Sequence, residues 1–343
     1  MTTAPSTAES STPDVSTGTQ AVLRRILDPI GEATGVEVLT GGMFATTYRV
    51  GLADGTRVIV KTAPADTDRL LTYELDLVRT EALVYGLAAG RPELLMPRVL
   101  HTDFSRRILP TDVVVATHLE GVPVLGRTTA TGESAAEQPE LLHDLGAVMA
   151  HLHTVTGSDF GYPNRATGLV APTWPEAFGL MVDALLTDAD RWATSVPSAD
   201  IRAALHRHRA ALAEVTVPVL VHTDLWAGNL FMDPATGRLT GVIDPERAFW
   251  GDPLFEFAGA DQLGGGPVPT ALLDGYVSCG ARLALGSPAG DTRLLLYRMY
   301  IALVQLVEIS PRRYAGDWVV AHRGAVNECL RAALTALGPA VRP

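Results

Sequence analysis

The chain has 343 residues, 47% of them hydrophobic and 19% charged, which is the composition of a folded protein rather than a disordered one. Its formal charge of −11 and pI near 5.3 exclude a surface of clustered Lys and Arg for nucleic acid; an acidic face suits a cationic small molecule or serves solubility alone. The two cysteines, Cys279 and Cys329, have no CxxC spacing, so neither a disulfide scaffold nor a zinc site is indicated and a reducing cytoplasm is expected.

Residues 1–19, MTTAPSTAESSTPDVSTGT, contain no Lys, Arg or apolar run and read as a disordered tail rather than a secretory signal. TQAVLRRILDPIGE then has helical apolar spacing. GVEVLTGGMFATTYRVGLADGTRVIVKTA alternates like strands around two turns, one holding Gly41 and Gly42, the other built on Asp54-Gly55. The strand after the second turn ends at Lys61. LDLVRTEALVYGLAAG is helical and carries Glu81, and TDVVVATHLEGVPV is an apolar strand running into a Gly turn. Together these predict a small antiparallel lobe with one packed helix over residues 20–119.

From PELLHDLGAVMAHLHTVTG onward, Leu142, Leu145, Met149 and Leu152 recur at helical steps, which predicts a larger, mostly helical lobe over residues 120–343. LLLYRMYIALVQLVEI is interrupted by Arg298 and Glu308 and is too short to span a bilayer, so it reads as a buried helix. No membrane or nucleic-acid partner is expected. His151 and His153 lie two apart on a predicted helix and do not share a face, so they do not form a chelate.

Inside this second lobe, HTDLWAGN (residues 222–229) sits between two short strands, and GVIDPE ends an apolar run on Asp244. The order H-x-D-x-x-x-x-N followed by an Asp at a strand end resembles the catalytic loop and metal-binding Asp of the kinase-like fold. Phosphoryl transfer develops charge on the phosphoryl oxygens, so it needs positioning, a divalent cation on hard oxygen ligands, and a proton acceptor for the attacking hydroxyl. Singly, an Asx residue most often caps a turn, a Gly pair only turns the chain, and a strand Lys or helical Glu faces water. It is the order of all of them along one chain that points to a site.

The resemblance extends to a family. HTDLWAGNLFMD is similar to HGDLHPGNILVD, and GVIDPERAFWGDPLFEFA to GVIDWEDAGLGDPAYDLA, motifs of the aminoglycoside phosphotransferase and choline kinase superfamily; the likeness covers about residues 35–262. It implies an α+β, bilobal, protein-kinase-like fold, with a small antiparallel β N-lobe bearing one helix and a larger, mostly helical C-lobe. Carried over by position, Asp224 is the catalytic base, Asn229 and Asp244 hold Mg²⁺, Lys61 meets the nucleotide phosphates, and Glu81 holds Lys61. The hairpin with Gly41 and Gly42 covers the phosphates, the backbone at His118 and Leu119 is the hinge that binds the base, and Asp252 buttresses the catalytic segment. The co-substrate is ATP or GTP. His222 is expected to hydrogen-bond the loop backbone.

Thr223 stands where the family often has Gly and Trp226 where it often has His, and Pro245 follows the metal Asp with no room for an activation loop before Asp252. A protein-kinase role is therefore not expected. The acceptor implied is a hydroxylated small molecule, an antibiotic of aminoglycoside, macrolide or nucleoside type whose modification confers resistance. The alternatives are a metabolic kinase of an amino alcohol or sugar, and a nucleotide-binding regulator without catalysis. Trp174, Trp192, Asp183, Asp188 and Asp190 either line the acceptor pocket or, the more ordinary role, pack and solvate helices. An acidic pocket would mark a cationic acceptor, and a neutral one a nucleoside or sugar.

Overall fold

The computed structural model describes residues 15–39, 44–129 and 132–338. Ser16 accepts the Thr19 N–H at 3.1 Å and so caps α1 (Thr17–Leu27). The helix therefore begins at Thr17, within the span expected as tail; residues 1–14 of that span, like Gly41 and Gly42, lie outside the described residues.

Strands β1 (Ala33–Leu39), β2 (Thr46–Leu52), β3 (Arg57–Thr62), β4 (Val99–Asp103) and β5 (Val113–Thr117) form one antiparallel sheet in the order β1-β2-β3-β5-β4. The β2–β3 turn is tight because Gly55 takes a φ of 85° and Asp54 Oδ1 accepts the Thr56 N–H at 2.9 Å. The alternation of Val50, Leu52, Val58, Val60, Val113 and Val115 buries one sheet face against Leu23, Ile26 and Leu27 of α1. The other face carries α2 (Leu77–Ala88), the only long helix between these strands among the described residues.

The remainder is β6 (Val122–Pro123), α3 (Pro139–Leu152), β7 (Phe160–Gly161), β8 (Val170–Ala171), α4 (Trp174–Arg191), α5 (Ser198–Arg207), α6 (Arg209–Leu212), β9 (Val219–Val221), β10 (Leu230–Met232), β11 (Leu239–Val242), β12 (Phe249–Gly251), α7 (Leu254–Ala260), α8 (Thr270–Ser278), α9 (Pro288–Val307) and α10 (Asp317–Ala336). The molecule is thus α+β, an antiparallel sheet region followed by a mostly helical one. Strands β10 and β11 form a hairpin joined by β6, whereas β9 pairs with β12 in a second small sheet. The segment 222–229 is consequently slung between two different sheets.

Helix α9 is the apolar stretch read as a buried helix, and no helix among the described residues is long and apolar enough to cross a membrane. Trp174 is fully buried, stacks on Phe178 and Phe249, and donates its indole N–H to Tyr297 Oη at 2.8 Å. Trp192 lies under the guanidinium groups of Arg69 and Arg191. Asp188 accepts the Thr72 N–H at 2.8 Å, Asp183 pairs with Arg202 at 3.0 Å, and Asp190 is exposed. Trp174, Trp192, Asp183 and Asp188 thus make contacts within the fold, and none of the five residues lines the cavity walled by Thr223, Arg247 and Gln262.

Asp112, 1% exposed, anchors α2 to the start of β5 by accepting Arg79 Nε at 2.7 Å and Arg106 Nε at 2.9 Å. Burial by itself would raise its pKa, but the hydrogen bonds from Arg106 and Arg79 outweigh it and pull the value down to about 2. A carboxylate held below its ordinary value of 3.8 stabilises the fold above that pH and loses the contribution as pH falls toward its folded value. Asp112→Asn should lower the urea midpoint at pH 7, with the gap to the wild type narrowing below pH 3.8; equal midpoints at pH 7 would remove Asp112 from this role.

Candidate active site

Strand β3 delivers Lys61 to the cleft and α2 delivers Glu81 opposite it, both side chains being buried. Lys61 Nζ lies 2.7 Å from Glu81 Oε2 and 2.8 Å from Glu246 Oε2, and it also contacts Asp244 Oδ1. One ammonium therefore ties the sheet region to the end of β11. Burial opposes its charge, but Asp244, Glu246 and Glu81 overcome that and hold Lys61 well above its ordinary pKa. Burial, with the charge of Asp244 next, pushes Glu246 up to about 7. Burial likewise raises Glu81, while Lys61 overcomes the effect of burial at Asp244 and holds it low.

Asp244 takes a left-handed φ of 67°, a conformation Asp tolerates better than most residues. Its N–H donates to Tyr85 Oη at 3.2 Å, and Tyr85 donates in turn to Glu81 Oε1 at 2.8 Å. Neither Tyr85 nor Glu246 was singled out in the sequence. The first betrays itself only by standing one helical turn after Glu81, and the second by following Asp244 in the motif itself.

Asp224 projects from the loop between β9 and β10. Asn229 Nδ2 donates to its Oδ2 at 3.0 Å and to its backbone carbonyl at 2.9 Å, and Gln262 Nε2 donates to its Oδ1 at 2.5 Å. Burial raises the Asp224 pKa, with Arg247 acting in the opposite direction. The Ile243 N–H donates to the Asn229 carbonyl at 3.0 Å, which sets Asp244 beside the loop. His222 Nε2 donates to the Ile243 carbonyl at 3.1 Å while its Nδ1 accepts the Asp224 N–H at 3.3 Å. His222 is thus the Nε2–H tautomer and bonds loop backbone, as expected.

Among the described residues, the Asp252 carboxylate makes no hydrogen bond to the loop. It accepts Arg293 Nε and Tyr297 Oη, both at 2.7 Å, and the Leu254 N–H at the start of α7 at 3.1 Å. The loop is instead clamped by Glu256, fully buried in α7, whose two oxygens accept the N–H groups of His222 at 2.7 Å and Thr223 at 2.8 Å. Thr223 has a φ of 71°, the geometry that explains why Gly is common at this place and that strains a β-branched residue. His118 and Leu119 follow β5 where the chain leaves the sheet for β6.

Oxygen atoms of Glu81, Asp244 and Glu246 lie within 4.8 Å of one another. Three carboxylates around one ammonium leave an excess of negative charge that a divalent cation would offset. The donor chemistry of Asp244, with the amide oxygen of Asn229 left free by the two bonds its nitrogen makes, therefore fits a hard cation.

A model of the phosphotransferase enzyme family matches residues 35–280, more than half of the chain. The chain belongs to that family. This phosphotransferase acts on small molecules, and its fold recurs in solved structures. A candidate fructosamine-3-kinase from Thermobifida fusca is 23% identical, with 91% of this chain and 97% of that one aligned at a TM-score of 0.66. Aminoglycoside phosphotransferase APH(4)-Ia, in a ternary complex with ADP and hygromycin B, is 21% identical over 90% of this chain and 97% of that one, at a TM-score of 0.59. Macrolide 2'-phosphotransferase type I is 18% identical over 94% and 98%, at a TM-score of 0.54. No curated protein matches the sequence significantly.

Gly259 in α7 faces the strained turn so closely that a Cβ would stand 2.3 Å from the Thr223 carbonyl oxygen. Gly259→Ala should therefore cost about 1–3 kcal/mol of stability, measured by urea unfolding, and should lower turnover by displacing the neighbouring Asp224. An unchanged midpoint would show that the loop yields freely.

Proposed function

We propose that this phosphotransferase transfers the γ-phosphate of ATP or GTP to a hydroxyl of a small molecule, with Asp224 as the proton acceptor. The observation that carries the reading is the joining of two groups across one cleft: Lys61 with Glu81 and Asp244, and Asp224 with Asn229. The complexes of APH(4)-Ia with ADP or AMP-PNP and hygromycin B lend support to a nucleotide and a hydroxylated acceptor.

In this reading the acceptor oxygen attacks the γ-phosphorus and forms the new O–P bond. The bond from that phosphorus to the β,γ-bridging oxygen breaks, the nucleoside diphosphate leaves, and the hydroxyl proton passes to Asp224. The Asn229 and Gln262 donors hold the Asp224 carboxylate in place before it takes the proton. Lys61 binds nucleotide phosphate and Glu81 positions it, with Glu246 as a second acidic partner on the same ammonium. Asn229 and Asp244 would hold Mg²⁺, which neutralises charge on the phosphate oxygens when bound. Gly41 and Gly42 are proposed to cover the phosphates, and the backbone of His118 and Leu119 to bind the base.

The acceptor is proposed to be an antibiotic hydroxyl, in keeping with the named aminoglycoside and macrolide phosphotransferases. Masking one hydroxyl as a dianion replaces a donor with repelling charge, which suffices to spoil target binding and confer resistance. A sugar kinase is the second reading, favoured by the likeness to the candidate fructosamine-3-kinase.

The test is mass spectrometry of aminoglycoside, macrolide, nucleoside and sugar panels incubated with the protein, Mg²⁺, and ATP or GTP. A one-phosphate mass gain is expected on one class. Asp224→Asn should lower kcat about 10²- to 10⁴-fold with nucleotide binding nearly unchanged; undiminished turnover in that variant would remove Asp224 from the chemistry.

A further inference from the structure

Next to Asp224 a cavity opens between the loop and helices α7 and α9, walled by Arg247, Gln262, Gln305, Tyr73, Tyr162 and Tyr300 among others. Its volume is small, about 20 Å³, so it admits one hydroxyl-bearing end rather than a whole acceptor. No carboxylate lines it among the described residues. The nearby acids are already engaged. Glu308 accepts Arg247 Nη2 at 2.9 Å and lies 3.3 Å from Arg312 Nε. Glu74 pairs with Arg312 and accepts the Leu71 N–H at 2.9 Å, and Asp261 lies 3.9 Å from Arg298.

Resting on the kinase reading above, we propose that the reacting end of the acceptor is uncharged and that Arg247 is the specificity-determining residue that hydrogen-bonds a second oxygen on it. A guanidinium offers five N–H donors, and the one hydrogen bond that Arg247 makes among the described residues uses a single nitrogen, toward Glu308. Its remaining donors belong to a wall whose other polar groups are mainly phenols and amides, which both donate and accept, set among the apolar side chains of Phe249, Phe255, Ile301 and Val304. An oxygen-rich ring edge satisfies such a wall. An ammonium beside the reacting hydroxyl would be desolvated facing a fixed positive charge, and the neighbouring Asp224 carboxylate already accepts from Asn229 and Gln262 on its two oxygens, which is discrimination by repulsion as well as by fit. By the same reasoning the acidic net charge of the chain plays no part in choosing the acceptor end.

The probes are methyl glucoside and methyl 2-amino-2-deoxyglucoside, which differ by one ammonium in place of a hydroxyl. Binding is measured by saturation-transfer NMR with Mg²⁺ and a non-hydrolysable ATP analogue, and phosphate transfer with ATP. The glucoside should bind at least about tenfold more tightly. Arg247→Gln should raise its dissociation constant about tenfold without changing nucleotide affinity, and Arg247→Glu should reverse the preference. Arg247→Lys keeps the charge beside Glu308 if the other variants fail to fold, and it should retain the discrimination while weakening the glucoside. Equal binding of the two probes, preference for the amine, or binding of neither overturns the proposal. Selective binding without any transfer or nucleotide hydrolysis would count against the kinase reading instead, because the binding arm needs no catalysis.

Discussion

The ammonium of Lys61 among Glu81, Glu246 and Asp244 is the interaction on which the site depends. It is the point where a strand of the sheet, helix α2 packed on that sheet, and the end of β11 meet. Burying four ionised groups is costly, and a buried ion group adds little to stability relative to a well-packed apolar core, yet removing a single partner typically costs about 3–5 kcal/mol. Such an arrangement is retained for what it positions. Its unbalanced negative charge keeps the ammonium charged and makes the cluster receptive to a further cation.

The second half of the site is held by a different kind of force. Asp224 sits on a turn that no local propensity favours: Thr223 is β-branched at positive φ, and the chain on either side belongs to separate sheets. Two backbone N–H groups converging on the fully buried Glu256, and the close approach of α7 permitted by Gly259, impose the conformation from outside. Strain of this sort survives only where the surroundings over-determine it. The aromatic core of Trp174, Phe178, Phe249, Phe255 and Tyr297 supplies that rigidity beneath the loop.

Much of this was legible in the residues. The helical spacing around Glu81 and the strand ending at Lys61 placed both groups on the right kinds of element, because period and turn chemistry are local properties. The pair Asp224 and Asn229 was legible for a similar reason: five positions apart, they are close enough in sequence for one short loop to join them. Asp252 shows the limit. Motif position suggested that it supports the catalytic segment, but its carboxylate turns inward to Arg293 and Tyr297, and the supporting role falls to Glu256 a helical turn later. Which of an acid just before a short helix and an acid within it faces a loop depends on how the helix is set, and packing against α9 sets that.

The sequence by itself determined the order of elements, the α+β class, and the identity of the charged groups, since these follow from hydrophobic periodicity and from residue types that one chemistry requires. Only the tertiary structure decided that Glu246 and Tyr85 complete the Lys61 cluster, that Trp174 and Asp188 are structural, and that the wall beside Asp224 is aromatic and basic rather than acidic. Those facts join residues far apart in the chain, such as Tyr73 with Arg247 and Tyr300, and no local signal carries a contact that exists only once the helices have packed.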